Sequence, residues 1–352
     1  MKITVLAGGV GGAKFLRGLR QHLRETLPDG SGGTTAEVTV VVNTGDDLWL
    51  TGLRVCPDLD SIMYTLGGGN DEVRGWGRLG ETERVSAELT AYGVGWPWFT
   101  LGDLDLGTHI TRSHLLREGL TLSEATAQIT ARWNLGVRLL PMSDQPVETH
   151  VVVADDGDSN DDDDSGGGGQ DSGAAGRTRT MHFEEWWVHY RASLPALRFE
   201  QHGLETATAA PGVVQAILDA DVVLVAPSNP VVSIGTILPV AGIREALQAT
   251  RAPVVGVSPI ISGSPVRGMA KACLDAIGVA VAADAVGMHY GSRTTGGLLD
   301  AWLVDESDAP LTAGIEAAGL RVSVVPLWMN TVDQAAQLAA DALAAARPGL
   351  IA

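Results

Sequence analysis

The chain has 352 residues, 45% hydrophobic and 19% charged, and a formal net charge of −18. This is enough for one large elaborated domain or two domains with a sizeable core, while the acidity disfavours nucleic-acid or anionic-membrane partners, which need a basic footprint. No apolar run approaches the ~20 residues of a membrane helix, no signal-peptide pattern is present, and Cys56 and Cys273 show neither pairing nor metal spacing, so a reducing, cytoplasmic location is expected.

The first element is an apolar strand from Ile3 to Leu6. It runs into Gly8, Gly9, Val10, Gly11, Gly12, Ala13 and Lys14, with helical spacing from Lys14 to Arg24. A strand, a glycine turn and a helix start leave backbone N–H groups facing outward at a helix N-terminus, a ready phosphate site, although tight packing would use the same glycines. Val38–Val42 is a continuous β-branched run, the mark of a strand buried on both faces, and it ends in Asn43, Thr44, Gly45, Asp46 and Asp47. Two strand-helix-strand steps would bring this loop and the glycine loop to the same carboxyl edge of a sheet.

From about Trp76 to Leu139 the chain reads as helices, including 123–133, and is taken as a helical insertion. Thr149–Ala154 reads as a strand, and Met181–Tyr190 as the strand returning antiparallel to it. Between them, 155–179 is built from Asp, Gly and Ser, with eight aspartates from Asp155 to Asp171, and is expected to be a disordered solvated loop. Strands are expected again at 222–226, 254–257, 301–304 and 322–325. Helices are expected near 212–219, 243–250, 267–277 and 332–346, the last capped by Thr331 with Gln334. The organisation expected is an α/β core made of 1–75 and 138–352, with 76–137 inserted.

A dehydrogenase would need an acid at the end of strand two to hold ribose hydroxyls, and that position holds Asn43. A Walker loop needs Gly-Lys-Ser/Thr, which is absent after Gly12. Asp46 and Asp47, followed within fifteen residues by Asp58 and Asp60, give the composition of a magnesium-assisted phosphoryl-transfer site beside a phosphate loop. Turn and capping duty is the other reading for each, especially for Asp58 after Pro57. Ser228, Asn229 and Ser233 follow another strand; they read a base or ribose, or merely start the next helix. Ser258 to Gly263 is open in the same way. Trp49 or Trp76 could stack on a planar ring or belong to the core. His109, His114, His182 and His189 give no metal-ligand pair and read as structural or surface residues.

Taken together, GGVGGAK at 8–14, NTGDDLW at 43–49, CPDLD at 56–60, LGDLDLGTH at 101–109, LLPMSD at 139–144, APSNPVVSIG at 226–235 and SPIISG at 258–263 resemble the 2-phospho-lactate transferase family of coenzyme F420 biosynthesis. The tryptophan-rich form with HFEEWW at 182–187 resembles its actinobacterial branch. The resemblance implies a Rossmann-like three-layer α/β/α core with a mostly parallel sheet. It also implies transfer of a phosphoenolpyruvyl or 2-phospho-lactyl group from a guanosine diphosphate ester to the ribityl hydroxyl of the deazaflavin Fo, with magnesium, release of GMP and a homodimeric assembly.

On that resemblance Gly8, Gly9, Gly11, Gly12, Lys14, Ser228, Asn229 and Ser233 would hold the nucleotide. Asp46 and Asp60 would hold the metal, with Asp47 as the third catalytic carboxylate, and Asp60, Trp49 and Thr100 would face the deazaflavin. The competing reading is a non-catalytic nucleotide-sugar-binding regulator of the related gluconeogenesis-factor family. That family carries an Asp-Asp-Gly-Gly-Ser-Ser run, whereas Leu48 and Trp49 follow Asp47 here.

Overall fold

The computed structural model describes residues 1–346 except 73, 96–97, 156–176 and 267. In chain order, strand β1 (Lys2–Ala7) leads directly into helix α1 (Gly9–Thr26), followed by β2 (Glu37–Val42) and a short hairpin of β3 (Leu48–Leu50) and β4 (Leu53–Val55). Helix α2 (Pro57–Gly67) precedes α3 (Arg84–Ala91), α4 (Asp103–Arg117) and α5 (Leu122–Thr130), and β5 (Arg138–Pro141) returns to the sheet. Then come β6 (Glu148–Ala154), β7 (Thr178–His182) and β8 (Ala196–His202), and after them β9 (Val222–Val225), β10 (Val254–Val257), the minimal hairpin β11 (Ile260–Ile261) and β12 (Ser264–Pro265), β13 (Ala301–Val304) and β14 (Arg321–Val324).

Seven strands form one sheet in the order β14-β13-β10-β9-β1-β2-β5, and every neighbouring pair is parallel. This is the Rossmann-like arrangement expected. Its strands alternate between two apolar layers: Leu6, Val41, Val223 and Val254 pack into one, and Val5, Val40, Leu224 and Val255 into the other. Helix α1 covers the second layer with Phe15, Leu16, Leu19 and Leu23, beside the last helix, Val332–Ala345. Gly18 lets those two helices touch, since a Cβ there would run into the backbone of Ala335. The expected cap of the last helix is present, with Thr331 accepting from the Gln334 amide.

The order in which strands are added reverses between β1 and β9. From β1 the sheet grows one way through β2 and β5, and from β9 the other way through β10, β13 and β14. The crevice at the carboxyl ends of the two strands flanking such a switch is where open parallel sheets bind ligands.

Two expectations change. Met181–Tyr190 is not one strand: β7 stops at His182 and the chain turns into a single π-helical turn, Glu185–His189. The cause is Trp186, fully buried with its indole N–H donating to the Leu194 carbonyl at 2.7 Å, which an extended strand pairing with β6 would not permit. In addition β8, which was not anticipated, pairs with the other side of β6, making a three-stranded antiparallel sheet in the order β7-β6-β8. Most of the acidic stretch 155–179 lies outside the described residues. Its ends are tied where the Asp155 amide donates to the Arg177 carbonyl, and β7 already begins at Thr178.

Candidate active site

A cavity of about 590 Å³ opens at the switch point. Gly8, Gly9, Gly11, Lys14, Asp46, Asp60, Thr100, Ser228, Asn229 and Ser233 all contribute to its wall, so most of the residues chosen from sequence converge on one place. Asp47, Gly12 and Trp49 do not belong to the lining. Asp47 is fully buried behind the wall, 3.7 Å from the Arg54 guanidinium. Gly12 packs against Ala7 and Ser228, while Trp49 stands half exposed on the β3–β4 hairpin with Arg54 against its ring.

The glycine loop is tighter than a free turn. Helix α1 starts at Gly9 itself, whose φ of +59° a side chain would strain. Gly11 lies so near the next loop that a Cβ would sit 2.5 Å from the Pro227 carbonyl oxygen. Ser228 fastens the turn, accepting from the Gly8 amide at 3.0 Å and donating to the Gly8 carbonyl at 2.7 Å. The Gly9 amide donates to Asp58. Of the N–H groups that open α1, those of Val10 and Gly11 then have no acceptor within the helix, and they carry its positive dipole end toward the cavity.

Asn229 is occupied by its own loop. Its Oδ1 accepts from the Val231 and Val232 amides at 2.9 and 3.2 Å, and its Nδ2 is 3.5 Å from Cys273 Sγ. It shapes the wall through Oδ1, while Nδ2 has only the Cys273 contact and keeps a donor hydrogen.

The carboxylates divide into two sets. In the first, Asn43 Nδ2 donates to Asp58 Oδ2 at 2.9 Å and to Asp46 Oδ2 at 3.3 Å, tying the Asp46 loop to the start of α2. Glu184, delivered by the chain turning out of β7, joins them in the lining. Burial, then the neighbouring charges of Asp58, Glu184 and Asp47, pushes Asp46 well above the usual carboxylate range. Burial likewise raises Asp58 to about 6 against the hydrogen bonds of Asn43 and Gly9, and raises Glu184 to about 8 with help from Asp58 and Asp47. Asp46 Oδ1 is buried without a hydrogen-bond partner. Among the described residues no Lys, Arg or His forms an ion pair with Asp46, Asp58 or Glu184.

In the second set each carboxylate faces an arginine, but only Asp60 is well compensated: neither Asp47 oxygen has a hydrogen-bond partner, and burial outweighs Arg54 to raise Asp47 to about 7. Asp60 is gripped by both terminal nitrogens of Arg112, one of them at 3.0 Å, and Asp47 faces Arg54. The metal pair read from the sequence, Asp46 and Asp60, is thus split between the sets. Glu184 falls in a run whose residues read as strand, and Asp58, open between site and helix cap in the sequence, stands in the cavity wall. Aromatic side chains complete the far wall: Trp76, Trp98, Phe99, Trp187 and Trp328. The guanidinium of Arg74 stacks on Trp76 at 4.1 Å from the ring centroid.

A parallel sheet with a helix N-terminus and uncompensated carboxylates sharing one cavity at its switch point defines an α/β protein of the open-sheet class whose ligand crevice lies at the strands' carboxyl ends. A family model described as "2-phospho-L-lactate transferase CofD" matches residues 3–325. The chain belongs to this family of transferases. It is 53% identical over 343 residues to a protein of Streptomyces griseus named phosphoenolpyruvate transferase, covering 97% of this chain and 98% of that one. A protein of the same name from Mycolicibacterium smegmatis is 52% identical over 338 residues, 96% of each chain. Among solved structures, a UPF0052 family protein from Bacillus halodurans shares the fold with a TM-score of 0.58 at 17% identity, covering 97% of this chain and all of that one. Among the described residues no helix is long and apolar enough to cross a membrane.

Proposed function

We propose that the chain transfers a phosphoenolpyruvyl group from a guanosine diphosphate ester to the terminal ribityl hydroxyl of the deazaflavin Fo, releasing GMP, in coenzyme F420 biosynthesis. The observation that carries this reading is the convergence of the α1 N-terminus, the uncompensated carboxylates and an aromatic wall on one cavity. The enolpyruvyl donor is preferred over the lactyl one because the relatives identical at half their positions are named phosphoenolpyruvate transferases.

Three buried carboxylates without a cationic partner suit a hard divalent cation that takes oxygen ligands, and magnesium fits. Asp46 and Asp58 would hold it, with Glu184 beside them, and when bound it would offset phosphate charge and sharpen the electrophilic phosphorus. The protein's own groups do the rest. Val10 and Gly11 present backbone N–H donors, and Lys14 a positive charge, to the nucleotide phosphates where charge accumulates as GMP departs. Asp60, held in place by the two-point grip of Arg112, accepts hydrogen bonds from the ribityl chain and orients its terminal hydroxyl. The aromatic wall excludes water from the competing hydrolysis and offers ring faces to the planar acceptor. Glu184, raised to about 8, is suited to take up the hydroxyl proton.

The test incubates the protein with Fo and each of the two guanosine diphosphate esters, follows GMP release, and identifies the product by mass spectrometry. One GMP per enolpyruvyl-bearing product, abolished by EDTA and restored by magnesium, is expected. Binding of a uridine diphosphate sugar in preference to GDP, with no product from either ester, would overturn the reading in favour of a nucleotide-sugar-binding regulator.

A further inference from the structure

Helix α4 carries Asp105, His109 and Arg112 at positions i, i+4 and i+7, a single face. All three are buried, with Arg112 only 2% exposed, and they meet Asp60 and Tyr64, themselves one turn apart on α2. Tyr64 Oη donates to Asp105 Oδ1 at 2.6 Å, and His109 Nε2 lies 3.2 Å from Asp105 Oδ2. Arg112 Nη1 lies 3.3 Å from His109 Nδ1 and donates to Asp60 Oδ2 at 3.0 Å, while Nη2 donates to Asp60 Oδ1. A guanidinium can only donate, so Arg112 meets Nδ1 as an acceptor, while Nε2 lies near Asp105 without a hydrogen bond of good geometry. The five side chains thus form a contiguous buried run, Tyr64, Asp105, His109, Arg112, Asp60, hydrogen-bonded at each end and joined by close contact between Asp105 and His109.

Four of these five side chains also line the cavity; Arg112 does not, and stands behind the wall. A network serving only to join α4 to α2 would gain nothing by facing an open cavity. Buried charges are commonly no more stabilising than apolar packing, so stability alone does not account for this one. Each Asp60 oxygen gives one lone pair to Arg112 and retains another, and a carboxylate held in this way is an acceptor of hydroxyl hydrogen bonds.

We propose that Arg112 is a positioning residue that, acting through Asp60, sets the affinity of the site for the polyhydroxylated end of the acceptor without contacting either substrate. This rests on the transferase reading above and adds to it the residue that makes the acceptor subsite selective for a hydroxyl-bearing chain. Lysine cannot reproduce a two-point grip on a carboxylate, so Arg112→Lys keeps the charge and loses the orientation.

The test measures two affinities by titration, GDP with magnesium and Fo, for the unsubstituted protein, Arg112→Lys, Asp60→Asn and the double substitution. Arg112→Gln replaces Arg112→Lys if the latter does not fold. Each single substitution is expected to weaken Fo binding about tenfold or more and leave GDP affinity within twofold. Because one residue acts through the other, the double substitution should be no worse than the weaker-binding single. Losses that multiply in the double substitution, an unchanged Fo affinity, or a parallel loss of GDP affinity in both Arg112 variants would overturn the inference and leave the transferase reading standing. Failure of the unsubstituted protein to bind Fo at all would overturn both.

Discussion

Replacing Glu184 by glutamine is expected to make the ligand-free protein more stable at alkaline pH while making it a poorer enzyme. Glu184 is held at about 8 against an ordinary 4.5, first by burial and then by Asp58 and Asp47. An acid whose folded-state pKa is raised binds more protons folded than unfolded. Its contribution is complete below about 4.5 and is lost as pH climbs through about 8. At about 1.4 kcal/mol per pH unit, ionising it in the folded protein costs on the order of 5 kcal/mol. Glu184 faces the cavity, where entering water relieves part of that, which leaves about 2–3 kcal/mol to be recovered by the uncharged isostere. At about 2 °C per kcal/mol for a chain of this size, Glu184→Gln should melt about 4–6 °C above the unsubstituted protein at pH 8.5 without divalent cation, and together with it near pH 5. Differential scanning calorimetry from pH 5 to 8.5 gives both curves. The same substitution should lower turnover about a hundredfold. Coincident melting curves at pH 8.5, or an unsubstituted protein whose melting temperature is flat across that range, would refute the claim that this carboxylate is buried without compensation.

Asp58→Asn keeps one acceptor for Asn43 or the Gly9 amide, sets an NH2 against the other and removes a charge beside Asp46, so turnover should fall about a hundredfold and half-saturation by magnesium should move upward; an unchanged magnesium dependence removes Asp58 from the proposed metal site. Gly11→Ala places a methyl 2.5 Å from the Pro227 carbonyl oxygen, and the forced parting of the two switch-point loops should cost about 1–3 kcal/mol by thermal melt and weaken GDP about tenfold by titration. Trp49→Ala should leave Fo affinity within twofold, because this ring stands outside the cavity; a larger loss would restore the stacking role read from the sequence.

The central sheet was legible because strands buried on both faces are written as β-branched runs, and Val38–Val42 and Val222–Val225 could hardly be anything else. The phosphate end of the site was legible for a related reason: glycines required by close approach, such as Gly11 beneath Pro227, leave a mark in the sequence whatever lies opposite them. What was not legible depended on partners far along the chain. The stretch His182–Tyr190 is aromatic and β-branched enough for a strand, and only the burial of Trp186 against Leu194 turns it into a π-helical turn that carries Glu184 to the cavity. Asp58 as cap and Asp58 as cavity wall are the same residue at the same helix end. The choice is made by Asn43 and by the Gly9 amide, neither of them near in sequence. One signal was available and went unread. A search for histidine pairs passes over Asp105, His109 and Arg112, yet their i, i+4, i+7 spacing already places them on one helix face.

On the proposed function, the two carboxylate sets would let so acidic a site accept a polyanionic donor. Were Asp46, Asp58 and Glu184 paired with arginines as Asp60 is, the cavity would have no charge left for a divalent cation to neutralise, and the donor's phosphates would rely on backbone dipoles and Lys14 alone. Without Arg112, nothing would fix the direction in which Asp60 offers its remaining lone pairs to a hydroxyl-bearing chain. On this proposal, the arginine behind Asp60 and the absence of one against Asp46 and Asp58 would separate a cation-binding end of the cavity from a hydroxyl-accepting end within one turn of α2. Asp58 and Asp60 are two residues apart on that helix, and they differ in task because Asn43 and Gly9 meet the first while Arg112 meets the second.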